Sequence, residues 1–138
     1  PLPIFVYNHK TSVEYSSFKQ LLIQNSTWES DGRVRFYGAD QRLGSQVGKK
    51  IGTRIVTTGK SGYLIFGPYI SMDNGKYSAT ITGAISEHAI CNAKLDISVL
   101  GGAITIAQSQ PISNEKTIFK CEFTLAEPCK DLEIRVWV

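Results

Sequence analysis

The feature that most constrains this chain is an alternation of apolar and polar residues with period two, repeated in run after run. Successive side chains of a β-strand point to opposite faces, so such runs mark half-buried strands rather than helices. Over 76–82 the alternation puts Tyr77, Ala79 and Ile81 on one face. Over 93–99 it separates Ala93, Leu95, Ile97 and Val99 from Lys94, Asp96 and Ser98. Near the last residue, Leu132, Ile134, Val136 and Val138 alternate with Glu133, Arg135 and Trp137. Residues 118–125 alternate less cleanly, and further strands are predicted over 4–7, 34–37, 53–57, 63–66 and 103–107.

Turn chemistry separates these runs. Asp73-Asn74-Gly75 supplies residues that tolerate positive φ, and Ser30-Asp31-Gly32, Gly59-Lys60-Ser61-Gly62 and Gly101-Gly102 punctuate elsewhere. Many short strands divided by such turns predict an all-β, two-sheet antiparallel sandwich rather than alternating β-α units. One segment reads differently. Over 12–23, Val13, Phe18, Leu21 and Leu22 form a rough apolar face that Ser12 is placed to cap, which predicts one short helix. The competing reading takes residues 21–23 into a strand, because β-branched and Ser content opposes the helix.

The 138 residues suffice for one domain and not for two ordinary ones, and a chain of this length can build a core without metal or disulfide staples. A single domain over residues 1–138 is therefore expected, and the first residue, Pro1, points to a piece excised from a larger protein. Charged residues make up 20% and the net charge is +3, with no basic run longer than Lys49-Lys50, so no nucleic-acid footprint is indicated. No apolar stretch approaches the length of a membrane span. Cys91, Cys121 and Cys129 form no C-x-x-C pair and are accompanied by only two histidines, His9 and His88, a pattern that fits neither a zinc site nor a full disulfide framework. No metal or cofactor is expected, and reduced thiols in a cytoplasmic protein are the favoured reading over a single disulfide.

Catalytic signatures are missing from the local sequence: there is no G-x-S-x-G elbow, phosphate-binding loop or H-E-x-x-H. Any two of the twelve acids can meet in space as a glycosidase pair, but nothing in the local sequence favours it, so a non-enzyme is expected. More informative is the Gly-rich stretch from Phe36 to Tyr69, in which Tyr37, Asp40, Gln41, Arg42 and Gln46 crowd into one segment. An aromatic face stacks on the C–H face of a pyranose, while planar amide, carboxylate and guanidinium groups reach neighbouring hydroxyls. On that reading Tyr37, Asp40, Arg42 and Gln46 bind a sugar, with Arg54, Tyr69 and Trp28 as further candidates. On the other, Tyr37 ends a strand in the core and Asp40 pairs with Arg42 inside the loop. Trp137 faces outward with Arg135, as a stacking platform or as a surface covered by another domain; Trp28 and Trp137 can also simply plug the end of the sandwich.

From Thr57 onward the order of features resembles β-sandwich carbohydrate-binding modules with a galactose-binding-like jelly roll. A strand over 62–66 leads through Pro68 to Asp73-Asn74-Gly75-Lys76-Tyr77, then come a strand over 78–82, a strand with a Gly-Gly turn over 95–102 and a β-rich end over 123–138. Gly62-Tyr63-Leu64-Ile65-Phe66-Gly67-Pro68-Tyr69 with Gly75-Lys76-Tyr77 is similar to accessory domains of bacterial polysaccharide-biosynthesis glycosyltransferases and methyltransferases. The resemblance covers about 80 residues and its motifs are structural. It implies a non-catalytic module that targets an attached enzyme to a polysaccharide. Such a protein would be cytoplasmic or held at a membrane periphery through its parent. The pattern of acids that marks a calcium site in those modules is missing here. The rival expectation is an assembly domain that docks on its parent catalytic domain or forms a homo-oligomer through the face carrying Arg135 and Trp137.

Overall fold

A computed structural model describes residues 4–8, 33–85, 92–112 and 116–138. The helix expected over 12–23, together with Trp28, His9, His88 and Cys91, lies outside the described residues. The described chain is all-β, with eleven strands: β1 (Ile4–Asn8), β2 (Arg33–Phe36), β3 (Gly48–Ile51), β4 (Arg54–Thr57), β5 (Tyr63–Ile65), β6 (Pro68–Met72), β7 (Gly75–Thr82), β8 (Lys94–Val99), β9 (Ile104–Ser109), β10 (Thr117–Leu125) and β11 (Cys129–Trp137). Every pairing is antiparallel. One sheet has the order β10-β7-β1-β2, a second runs β5-β11-β8-β9 with β6 also on β11, and β3-β4 is a separate hairpin. No helix among the described residues is long and apolar enough to cross a membrane.

The alternation seen in the sequence places the core. Tyr77, Ala79 and Ile81 of β7 are buried, and their register partners on β10 are Phe123, Cys121 and Phe119, buried as well. The Tyr77 and Phe123 rings stack with centroids 5.5 Å apart, and the Tyr77 hydroxyl donates to the Asp73 carbonyl at 2.9 Å. An aromatic pair of this kind adds about 0.5–1.5 kcal/mol beyond its buried area. In the second sheet Ile134 sits opposite Ile97 and Val136 opposite Leu95, all buried, and one apolar cluster joins them to the β7 and β10 side chains.

β10 alternates strictly from Phe119 to Leu125, with Phe119, Cys121, Phe123 and Leu125 buried and Lys120, Glu122 and Thr124 exposed. The apparent irregularity belongs to Ile118 alone, where the register to β7 shifts between Thr117 and Phe119. A bulge at that point inserts one residue and re-phases the rest. Cys121 and Cys129 are free thiols, and burial pushes both thiols up from the ordinary range. That leaves them mostly protonated at neutral pH and poor nucleophiles.

Two strands lack a clear trace in the alternation. β3 has only one apolar residue, Ile51, and is held as a hairpin partner of β4. β6 alternates well in burial but begins at Pro68, a residue that reads as a strand breaker and is tolerated at the first position of a strand. β5 and β6 share the same edge of β11, β5 pairing with Val136 and Trp137 and β6 with Cys129, Leu132 and Glu133. Between them Gly67 takes φ +107°, and a Cβ there would stand 2.5 Å from the Arg42 carbonyl oxygen. Glycine is what permits the chain to break at this point and still lie against the 40–44 loop.

Candidate functional site

The loop after β2 is the first region where polar side chains gather. Tyr37 leaves the strand 43% exposed, outside the core. Asp40 and Arg42 are occupied with each other: Arg42 Nε donates to Asp40 Oδ1 at 3.1 Å, Nη2 to Oδ2 at 2.9 Å, and the Arg42 backbone N–H to Oδ1 at 2.9 Å. The guanidinium beside Asp40 holds its carboxyl below the usual carboxylate range. Arg42 also lies 4.3 Å from the centroid of the buried Phe36 ring. Lys50 Nζ donates to the carbonyls of Asp40 and Leu43, at 3.0 and 2.6 Å. Gln46 accepts from the Tyr63 backbone N–H through Oε1 at 3.2 Å. These polar groups therefore close the loop on itself and onto β5.

The remaining candidates sit apart from one another. Arg54 is exposed on β4. Tyr69, 48% exposed and at φ +63°, lies beside Gly67, next to the Arg42 main chain. Burial, followed by the nearby Glu133 carboxylate, pushes its phenol above the ordinary value. Trp28 lies outside the described residues. The structure thus brings Asp40, Arg42 and Gln46 onto one loop and leaves Arg54 on the neighbouring hairpin.

A second constellation lies on the outward face of β11. Trp137 is 42% exposed, and its register partners are Tyr63 on one side and Lys94 on the other. Cross-strand partners share a face, so Tyr63, Trp137 and Lys94 form one row across the sheet. The indole is held from beneath by a chain of contacts. Asp96 takes Arg135 in a two-pronged pair, Nε to Oδ1 at 2.7 Å and Nη2 to Oδ2 at 3.1 Å. Arg135 in turn lies 5.2 Å from the Tyr63 ring centroid, and Tyr63 meets Trp137 edge to face at 5.0 Å and 88°. The carboxylate at Asp96 raises the guanidinium pKa still further, so Arg135 stays charged. Reciprocal backbone bonds between Gly62 and Val138, both 2.9 Å, pin the main chain next to Trp137. Glu133, next along the same face, is 5% exposed, and the opposed Ser98 is fully buried with no hydrogen-bond partner for its Oγ among the described residues.

Trp137 borders a shallow groove of about 390 Å³. Its other walls offer the hydroxyls of Thr57 and Ser61, the ammonium of Lys60, the amide of Asn92 and the apolar side of Ala93. A wider groove of about 600 Å³ runs between β9 and β10 past Lys76, Ile106 and Glu122, but its two aromatic residues, Tyr77 and Phe123, are buried. The Trp137 groove alone of these two combines an exposed aromatic face with hydroxyl, amide and ammonium donors. In the sequence its only traces were the polar phase of β11 and the Gly59-Lys60-Ser61-Gly62 turn. Asn92 and Thr57 gave none. Among the described residues no cluster of three or more His, Cys, Asp or Glu stands ready to hold a metal ion.

Comparison with protein-family models, with curated proteins and with solved structures returned no match.

Proposed function

We propose that the chain is a non-catalytic carbohydrate-binding module, with the two larger sheets stacked as a jelly-roll sandwich and the Trp137 groove as its binding site. The stacking is supported by the single apolar cluster to which both sheets contribute. The observation that carries the function is the indole of Trp137, left 42% exposed yet braced edge to face by Tyr63, a ring that Arg135 contacts in turn. A fixed aromatic face with polar groups around it suits the apolar side of a pyranose and its equatorial hydroxyls, and pre-orientation lowers the ordering cost of binding. The sequence resemblance adds that such a module would hold an attached enzyme near its polysaccharide. Weak affinity at one site would then be raised by attachment.

The test is a glycan array probed with the wild type and with Trp137→Ala. A selective signal that falls about tenfold or more in the variant, with its thermal midpoint within a few degrees of wild type, supports the reading. Undiminished binding by a folded Trp137→Ala protein would remove the groove from consideration. Exposure of Trp137 equally suits a docking surface for a parent domain or a second copy. On that second reading the array is silent and light scattering shows a concentration-dependent mass that the same substitution abolishes.

A further inference from the structure

We propose that the Trp137 groove selects saccharides bearing an anionic group, a carboxylate or a sulfate, over neutral ones; this rests on the carbohydrate reading above. Lys60 forms part of the groove wall, and Lys94, outside that lining, is the direct register partner of Trp137 on the same sheet face. Both lysines are exposed, and neither has a salt-bridge partner among the described residues. No Asp or Glu belongs to the described groove lining. The acid nearest to Lys94 on its own strand face, Asp96, gives both oxygens to Arg135. A sugar stacked on Trp137 therefore meets positive charge that no acid among the described residues pairs with.

The chemistry of the cations sets the kind of anion. A lysine ammonium is a compact charge on a flexible stem and lacks the planar fork of arginine, so it accepts carboxylate and sulfate alike. Arg135, next along the same face of β11, is committed to Asp96 and the Tyr63 ring and serves orientation. Because both lysines are solvated, their contribution is modest and salt-sensitive.

Titration calorimetry or affinity electrophoresis on matched pairs tests this: hexuronans against their carboxyl-reduced forms, and dextran sulfate against dextran. The anionic member of at least one pair should bind about tenfold tighter at low salt, with the ratio falling toward one in concentrated sodium chloride. Lys60→Gln and Lys94→Gln should each reduce that ratio about threefold, the anionic member losing more affinity than the neutral one. Preference within the first pair assigns a carboxylate, and within the second a sulfate. Equal binding within both pairs overturns the charge selection and leaves carbohydrate binding standing. Silence toward every member, from a folded protein, overturns both.

Discussion

Truncating Asp96 to Ala tests the chain of contacts beneath Trp137 most directly. The Asp96 and Arg135 side chains are 19% and 16% exposed, between a surface pair and a buried one. Exposed pairs contribute up to about 1 kcal/mol, and breaking a fully buried pair costs about 3–5 kcal/mol. Two charge-assisted bonds at this intermediate burial place the Asp96–Arg135 coupling at about 2 kcal/mol. Unfolding entropy of about 2.1 cal/mol/K per residue gives a chain this long roughly 0.29 kcal/mol/K, so the loss corresponds to about 7 °C in Tm. The assay is a double-mutant cycle of Asp96→Ala and Arg135→Ala by chemical and thermal unfolding, which removes the packing that Arg135 makes on Tyr63 from the coupling. Sugar affinity should fall several-fold in Asp96→Ala, although Asp96 is outside the groove lining. A coupling below about 0.5 kcal/mol, or unchanged affinity, would refute the positioning argument.

Three further outcomes are expected. Gly44→Ala should destabilise the fold by about 1–3 kcal/mol in urea titration, because a Cβ there would collide with the Phe66 ring and strain the two backbone bonds joining Gly44 to Phe66. Asp40, whose folded pKa is depressed by Arg42, contributes stability that is present above the unfolded carboxylate range and is lost as pH falls through the folded value. Acid unfolding of Asp40→Asn should accordingly be less steep than that of wild type, and identical curves would count against the pair. Tyr69, whose folded pKa is raised by burial and Glu133, contributes stability that is present below the unfolded phenol value and is lost as pH rises through the folded one. Tyr69→Phe should remove that alkaline loss, as read by circular dichroism at increasing pH.

How much of this was legible in the sequence depended on whether burial or shape decided each element. The runs around Tyr77, Leu95 and Ile134 were legible because one face of each strand packs its apolar residues on the core while the other carries mostly polar ones, even where Ser78, Ser98 and Glu133 are buried. β3 was not, since it is exposed along most of its length and carries no burial pattern to read. β6 was obscured by Pro68, whose lack of an N–H is harmless only at a position that the sequence does not reveal. In the loop after β2, the residue types suited to a sugar were equally suited to one another, and Asp40 and Arg42 two positions apart are close enough to pair locally. The groove at Trp137 joins residues from 57 to 138, so its composition follows from sheet register, which alternation alone does not fix.

The break at Gly67 also bears on how copies of this chain would meet. By splitting what could be one long border strand into three-residue β5 and five-residue β6, it leaves that border of the five-stranded sheet with two short, offset segments. Short and kinked borders are poor templates for recruiting a foreign strand. The opposite border, β9, is six residues long, and Ile104 at its start is 50% exposed. Of the two borders of this sheet, β9 is therefore the better template for self-association, and hydrogen exchange should show its amides newly protected in aggregates while those of β5 are not.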